Sequence, residues 1–163
     1  MKIMKLFILL LIALPFLVLV LGQLGLLASK EPRGLGLRDG RLKPPSSTPN
    51  SVSSQAALHA DHPRRIEAQI DPLAYQGNGA TALSKLRAAV SALPGYHLVR
   101  EESGYLYFQS SSRWLKFVDD VEFVQDDAAK LIHVRSASRL GRKDFGVNRA
   151  RVEAIRKKFN AAK

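Results

Sequence analysis

Hydrophobic and polar positions follow different rules in successive parts of the chain, and the changes divide it. From Leu6 to Ala28 there is no charge and only Gln23 is strongly polar, a run of 23 residues. A membrane-crossing helix takes about 20. Pro15 lies inside the run, as membrane helices tolerate. From Lys30 to about Arg65 no period holds, and Pro32, Pro44, Pro45, Pro49 and Pro63 interrupt any helix or central strand. This stretch reads as a tether. Its later part, PPSSTPNSVSSQA, has Ser and Asn side chains able to bond laddered-out backbone, which also fits a loop wrapped on a domain. Beyond it, Ile66, Ala68 and Ile70 alternate with Glu67 and Gln69, predicting a short half-buried strand ended by Asp71-Pro72. Leu83, Leu86, Val90 and Leu93 share one helical face, with Thr81 or Ser84 as the expected cap and Pro94-Gly95 as the stop. Tyr96–Glu101 and Tyr105–Ser111 predict a hairpin around Ser103-Gly104.

A second hairpin follows, and its pattern selects a pairing. With Asp126 to Ala129 as the turn, Asp120 faces Arg135 and Glu122 faces His133 on one side. On the other, Phe123 faces Ile132, Val121 faces Val134 and Asp119 faces Ser136. Opposite charges then share a solvated face and apolar residues share a buried one. Asp119 is out of place, a carboxylate on the apolar face that needs hydrogen bonds there. The last helix, from about Val147 to Phe159, sets Val152, Ile155 and Phe159 on one stripe. Together these elements predict an α+β two-layer sandwich: a mostly antiparallel sheet with helices on one face, preceded by an N-terminal transmembrane helix. The expected divisions are 1–29 as anchor or signal segment, 30–64 as tether and 65–163 as the α+β domain.

Charge and composition narrow the address. The net charge of +11 is concentrated at the end, with +7 in residues 138–163 against −3 in 101–137. Such an end suits anionic lipid headgroups, an acidic envelope protein or nucleic acid. Nucleic acid is disfavoured because Trp114 and the tyrosines are not interleaved with the basic run and the domain is expected to be exported. There is no cysteine, which excludes disulfides, thiolate catalysis, cysteine metal sites and a lipoprotein anchor. The apolar run exceeds the 7 to 15 residues of a signal-peptide core, and Val20-Leu21-Gly22 is the best candidate cleavage motif. An uncleaved anchor is therefore favoured over a signal peptide. The expected placement is a bacterial inner membrane, single pass through residues 6–28, N-terminus cytoplasmic and domain in the periplasm. Lys2 and Lys5 support that orientation, while Lys30 and Arg33 oppose it.

Four stretches in order, PNSVSSQA (49–56), FVDDVEF (117–123), VRSASRLG (134–141) and DFGVNRARVEAIR (144–156), resemble the successive motifs of the family known as domain of unknown function 1499. The resemblance spans roughly residues 35–160. It implies an envelope or membrane-associated protein with no established reaction, and it draws Pro44–Ala56 into the domain. Many family members carry cysteine where this chain has Ser51 and another near Pro45, so a redox role is not implied here.

Three readings of the polar residues follow. In the structural one, Asp119 accepts hydrogen bonds from Ser136 or the 140s loop, and Asp144 and Asn148 cap the last helix. In the binding one, Arg135, Arg139, Arg142, Lys143 and Arg149 gather at the corner to hold an anionic group, with Ser136, Ser138 and Asn148 as neutral partners. In the enzymatic one, Asp119, Asp120 and Glu122 act with His133 as an acid/base or metal set, although strand alternation sends Asp119 to the opposite face. His59 and His62 have metal-ligand character but lack a third ligand at a recognisable spacing. The sequence supports a membrane-anchored binding or interaction module, with a hydrolytic or metal-assisted enzyme as the alternative, and no catalytic residue, metal or cofactor is assigned.

Overall fold

The computed structural model describes residues 2–162. Helix α1, Lys2–Gln23, carries Pro15 within it. At 1.5 Å per residue, its 22 residues reach about 33 Å, long and apolar enough to cross a membrane. The rest builds an antiparallel sheet with two helices. Strands β1 (Ser51–Ser53), β2 (Leu73–Ala74), β3 (Tyr96–Glu102), β4 (Tyr105–Ser111), β5 (Val118–Asp126) and β6 (Leu131–Ser138) lie in the order β1-β6-β5-β4-β3, with β2 also on β6. Helices α2 (Gly79–Ser91) and α3 (Val147–Ala161) complete an α+β fold.

Alternation sorts the side chains of the central strands. Leu106, Phe108, Val121, Phe123, Ile132 and Val134 face the helices and meet Leu83, Leu86 and Val90 of α2 and Val152, Ile155 and Phe159 of α3. The rings of Phe108 and Phe123 pack edge to face, 6.3 Å apart. Each such fully buried side chain contributes about 1.5–3 kcal/mol. Helices therefore cover one face only, as the apolar periods predict.

The other face is covered differently, and here the structure corrects the reading of it as solvated. Leu35 and Leu42 pack on Tyr105, Tyr107 and Val124, and Leu42 is 1 % exposed. The backbone N–H of Leu42 donates to Gln55 Oε1 at 2.8 Å, and Gly36 N donates to Glu122 Oε1 at 2.8 Å. Residues 29–46 thus form a strap over the outer face of the sheet. Its prolines and glycines serve a path of turns laid on the domain, which composition does not distinguish from a free tether.

Three local expectations also change. Residues 66–68 are turns rather than part of a strand, with Ala68 N bonded to Arg64 O and Ile66 largely exposed, and Gln69 makes only an isolated parallel bridge to Ser53. The edge of the sheet is instead made by β1 and β2, which pair end to end along β6. The second hairpin is offset by two residues, pairing Glu122 with Arg135, Val121 with Ser136 and Asp119 with Ser138. Its turn is tightened by Lys130 in the left-handed region (φ 57°) and by Asp126 accepting from Ala129 N at 2.9 Å. A two-residue offset leaves every side chain on its expected face. Helix α2 is capped by Asn78, whose Oδ1 accepts from Thr81 N at 3.0 Å, in place of Thr81 or Ser84.

Candidate functional site

The outer face carries two buried ion pairs side by side on β5 and β6. Glu122, 0 % exposed, accepts from Arg135 Nη1 at 3.3 Å, the Tyr105 hydroxyl at 2.9 Å and Gly36 N. Asp120, 1 % exposed, accepts from Arg139 Nη2 at 2.7 Å and the Tyr107 hydroxyl at 2.6 Å. The strap closes both pairs: Arg135 donates to Pro44 O at 3.3 Å and Arg139 to Ser29 O at 2.7 Å. Burial, then the adjacent Glu122, raises the Tyr105 pKa, and burial with the Asp120 hydrogen bond raises that of Tyr107. Both phenols stay neutral donors. Burial opposes the charge of Arg139, yet Asp120 and Tyr107 together hold its pKa above the ordinary value.

A second network joins the inner face to the start of α3. Asn148 is fully buried; its Oδ1 accepts from the Ser136 hydroxyl at 2.6 Å, and its Nδ2 donates to Asn50 O, Ser138 Oγ and Asp144 Oδ2 at 2.8–2.9 Å. Asp144 also accepts from Gly146 N and Asn148 N, closing the helix start. Burial works against the Asp144 charge, but these donors outweigh it and lower the carboxyl pKa. Asp119 finds its partner on α3, where Arg151 Nη2 donates to it at 2.5 Å and Arg151 Nη1 reaches Ser136 Oγ at 3.0 Å.

A rim of a different kind lies at the same end of the sheet, where the β4–β5 loop (112–117) faces the 139–147 corner. Between them runs a cleft of about 510 Å³, lined by Phe117, Leu140, Lys143, Phe145 and Val147, with Asp119 and Arg151 among the polar lining. Phe145 is 94 % exposed and Trp114 61 %. The Arg113 guanidinium lies 4.9 Å from the Trp114 ring centre. Phe145 also has left-handed backbone (φ 53°), a conformation costly for a bulky residue. Neither packing nor backbone geometry explains a phenylalanine there. The end of α1 rests on this loop: Gln23 Nε2 donates to Trp114 O at 2.5 Å, and Gly22 lies so close that a Cβ would stand 2.7 Å from Leu115 O.

The residues singled out from the sequence are thus divided. Ser136, Ser138, Asn148, Asp119 and Asp144 come together in the inner network, joined by Arg151. Arg135 and Arg139 point to the opposite face into the buried pairs. Arg149 turns to the carbonyls of Glu67 and Gln69, at 3.0 and 2.8 Å. Arg142 and Lys143 remain exposed at the corner, in no ion pair among the described residues. Of the acid/base set, Asp120 and Glu122 are closed under the strap, and His133 sits within 3.2 Å of Ser54 Oγ with its pKa lowered by burial against the opposing pull of Asp126. Among the described residues no group of three or more His, Asp or Glu side chains is placed to hold a metal ion. Sequence reasoning missed Arg113, Trp114, Lys116, Phe117, Leu140 and Phe145. The available signal was aromatic residues set beside cations in two connections between elements, RWLKF and RKDFG.

An antiparallel α+β domain, sealed by a strap on one face and preceded by an apolar helix long enough to span a bilayer, defines the class. The chain belongs to the family described as protein of unknown function (DUF1499), whose model matches residues 41–159. No curated protein and no solved structure matches it.

Proposed function

We propose that this is a single-pass envelope protein whose domain rests on the surface of the membrane that α1 crosses, and that it acts there as a binding or interaction module. The observation that carries the reading is the contact of Gly22 and Gln23 with Leu115 and Trp114. It sets an exposed aromatic and cationic rim beside the end of the apolar helix. Trp114, Phe117, Leu140 and Phe145 have the amphipathic or apolar character that partitions to the headgroup level. Arg113, Lys116, Arg142 and Lys143 add attraction to anionic headgroups, on the order of 1 kcal/mol each near such a surface. The carboxylates favour this reading over hydrolysis: Asp120 and Glu122 are each paired with an arginine and closed under the strap, and Asp119, at the edge of the cleft, is held by Arg151.

The proposed orientation has a cytoplasmic N-terminus and a periplasmic domain. The short N-terminal tail with Lys2 and Lys5 supports it, and the cations after the span pull the other way. The absence of cysteine allows both topology and seating to be tested with single cysteines in the full chain. In intact cells, a maleimide that does not cross the inner membrane should label Lys157→Cys readily and Lys143→Cys slowly until detergent is added. Labelling of Lys157→Cys only after lysis would contradict the outward domain. Equal labelling of the two sites would contradict a lipid-facing rim.

A further inference from the structure

The strap itself builds a cleft away from the rim. Leu35 and Leu42 anchor it over Tyr105 and Val124, at the start of β4 and the end of β5, opposite the end that meets α1. Between these anchors the chain turns sharply. Arg38 and Arg41 exchange both backbone hydrogen bonds, at 2.9 and 3.0 Å, around Asp39 (φ 52°) and Gly40 (φ 71°). This is a two-residue turn with both central residues left-handed, and it puts the flanking side chains on one side. Gly34 lets the Arg38 guanidinium lie against the backbone, since a Cβ there would stand 3.0 Å from Arg38 Nη2. Lys43 Nζ donates to Arg33 O at 2.9 Å and ties the two ends of the segment together.

The result is a cleft of about 340 Å³ lined by Arg33, Arg38, Arg41, Lys43 and His59, with Asp39 as its one carboxylate. None of the four cations is in an ion pair among the described residues. Gathering four like charges in one cleft raises their mutual repulsion, which a bound anion would relieve. His59 Nε2 is buried there with no hydrogen-bond partner. A buried polar atom without a partner is uncommon and calls for an explanation.

We infer that this cleft binds a multiply charged phosphoryl group carried by a soluble ligand, with Arg38 and Arg41 as paired forks on its oxygens, Arg33 and Lys43 as flanking charges, and His59 Nε2 as a further hydrogen-bond partner. Guanidinium groups match phosphate geometry two bonds at a time. The location at the far end of the sheet from the α1 contact favours a soluble ligand over a headgroup of the same membrane. The anion site itself stands apart from the seating of the rim, whereas the choice of a soluble ligand rests on the membrane placement proposed above.

The test is calorimetric titration of the full-length protein in uncharged detergent with inorganic pyrophosphate. Saturable binding is expected, weakened by at least about tenfold in Arg38→Gln/Arg41→Gln and unchanged in Arg142→Gln/Lys143→Gln. To separate loss of binding from local unfolding of the turn variant, a second readout is taken on the wild-type chain. Burial, then Arg41 and His62, lower the His59 pKa, so a bound anion should move its titration midpoint upward. The observation overturning the inference would be absent saturation, equal affinity in the arginine variant, or an unmoved His59. Binding to vesicles bearing phosphorylated headgroups without binding to pyrophosphate would overturn the assignment of a soluble ligand.

Discussion

Asp119 and Asp120 are neighbours in sequence with different neighbours in space. Asp119 reads correctly from the sequence as a carboxylate on the apolar face that needs donors, and it finds Arg151 at a partly open edge of the cleft. Asp120 reads as solvated because strand alternation assigns a face without saying what covers it. Tyr105 and Tyr107, two large side chains on the same face, were the available sign of a cover. Removing Asp120 would leave Arg139 buried and unpaired, so Asp120→Ala should lower unfolding free energy by about 3–5 kcal/mol. Asp119→Ala should lower it by about 1–3 kcal/mol. Denaturant titration of both variants checks the order, and a smaller loss for Asp120→Ala would contradict the sealed outer face. Asp144 offers a pH test with a definite sign. Its folded-state pKa lies below the ordinary 3.8, so its charge contributes stability that is fully present above pH 3.8 and is lost as pH falls through the folded value. Asp144→Asn should therefore be less stable than wild type by about 1 kcal/mol or less near neutral pH, with the gap closing in acid. A gap that persists at the lowest pH would assign the effect to hydrogen bonding alone.

The elements with strong periods are the ones that the sequence discloses. Helices α2 and α3 and strands β3 to β6 stand where their apolar spacing puts them, and the hairpin offset of two residues escapes notice because period-two alternation is blind to it. Residues 66–70 mislead for a related reason: three alternating apolar positions fit a strand, while the turn bonds that override them depend on contacts with β1 and α3. The site was less legible than the fold. Arginine clusters look alike in sequence whether they meet ligand or carboxylate, and Arg135, Arg139 and Arg151 each meet a carboxylate here. The seating of α1 on the domain turns on Gly22, the buried residue of that helix. Gly22→Leu keeps the helix apolar but drives its side chain into Leu115, so the chain should still insert while the helix end separates from the β4–β5 loop. Crosslinking between cysteines introduced at Gln23 and Arg113 would report it: formation in the otherwise wild-type chain and loss with Gly22→Leu is the expected result.

At the scale of the whole molecule, the apolar helix ends against the aromatic rim, and the proposed reading is of a domain held down on that side. The strap keeps Asp120 and Glu122 away from water, α3 holds the corner through Asn148 and Asp144, and the exposed Phe145 and Trp114 are left at the end where α1 arrives. Membrane seating of that rim is the central claim, and the chain carries its own reporter because Trp114 is its one tryptophan. The full-length protein in vesicles containing anionic lipid should show Trp114 emission quenched by lipids brominated near the headgroup and shielded from aqueous iodide, with both effects reduced by Arg142→Gln/Lys143→Gln/Phe145→Ser. Iodide quenching as strong as in detergent, with no response to brominated lipid, would contradict the account.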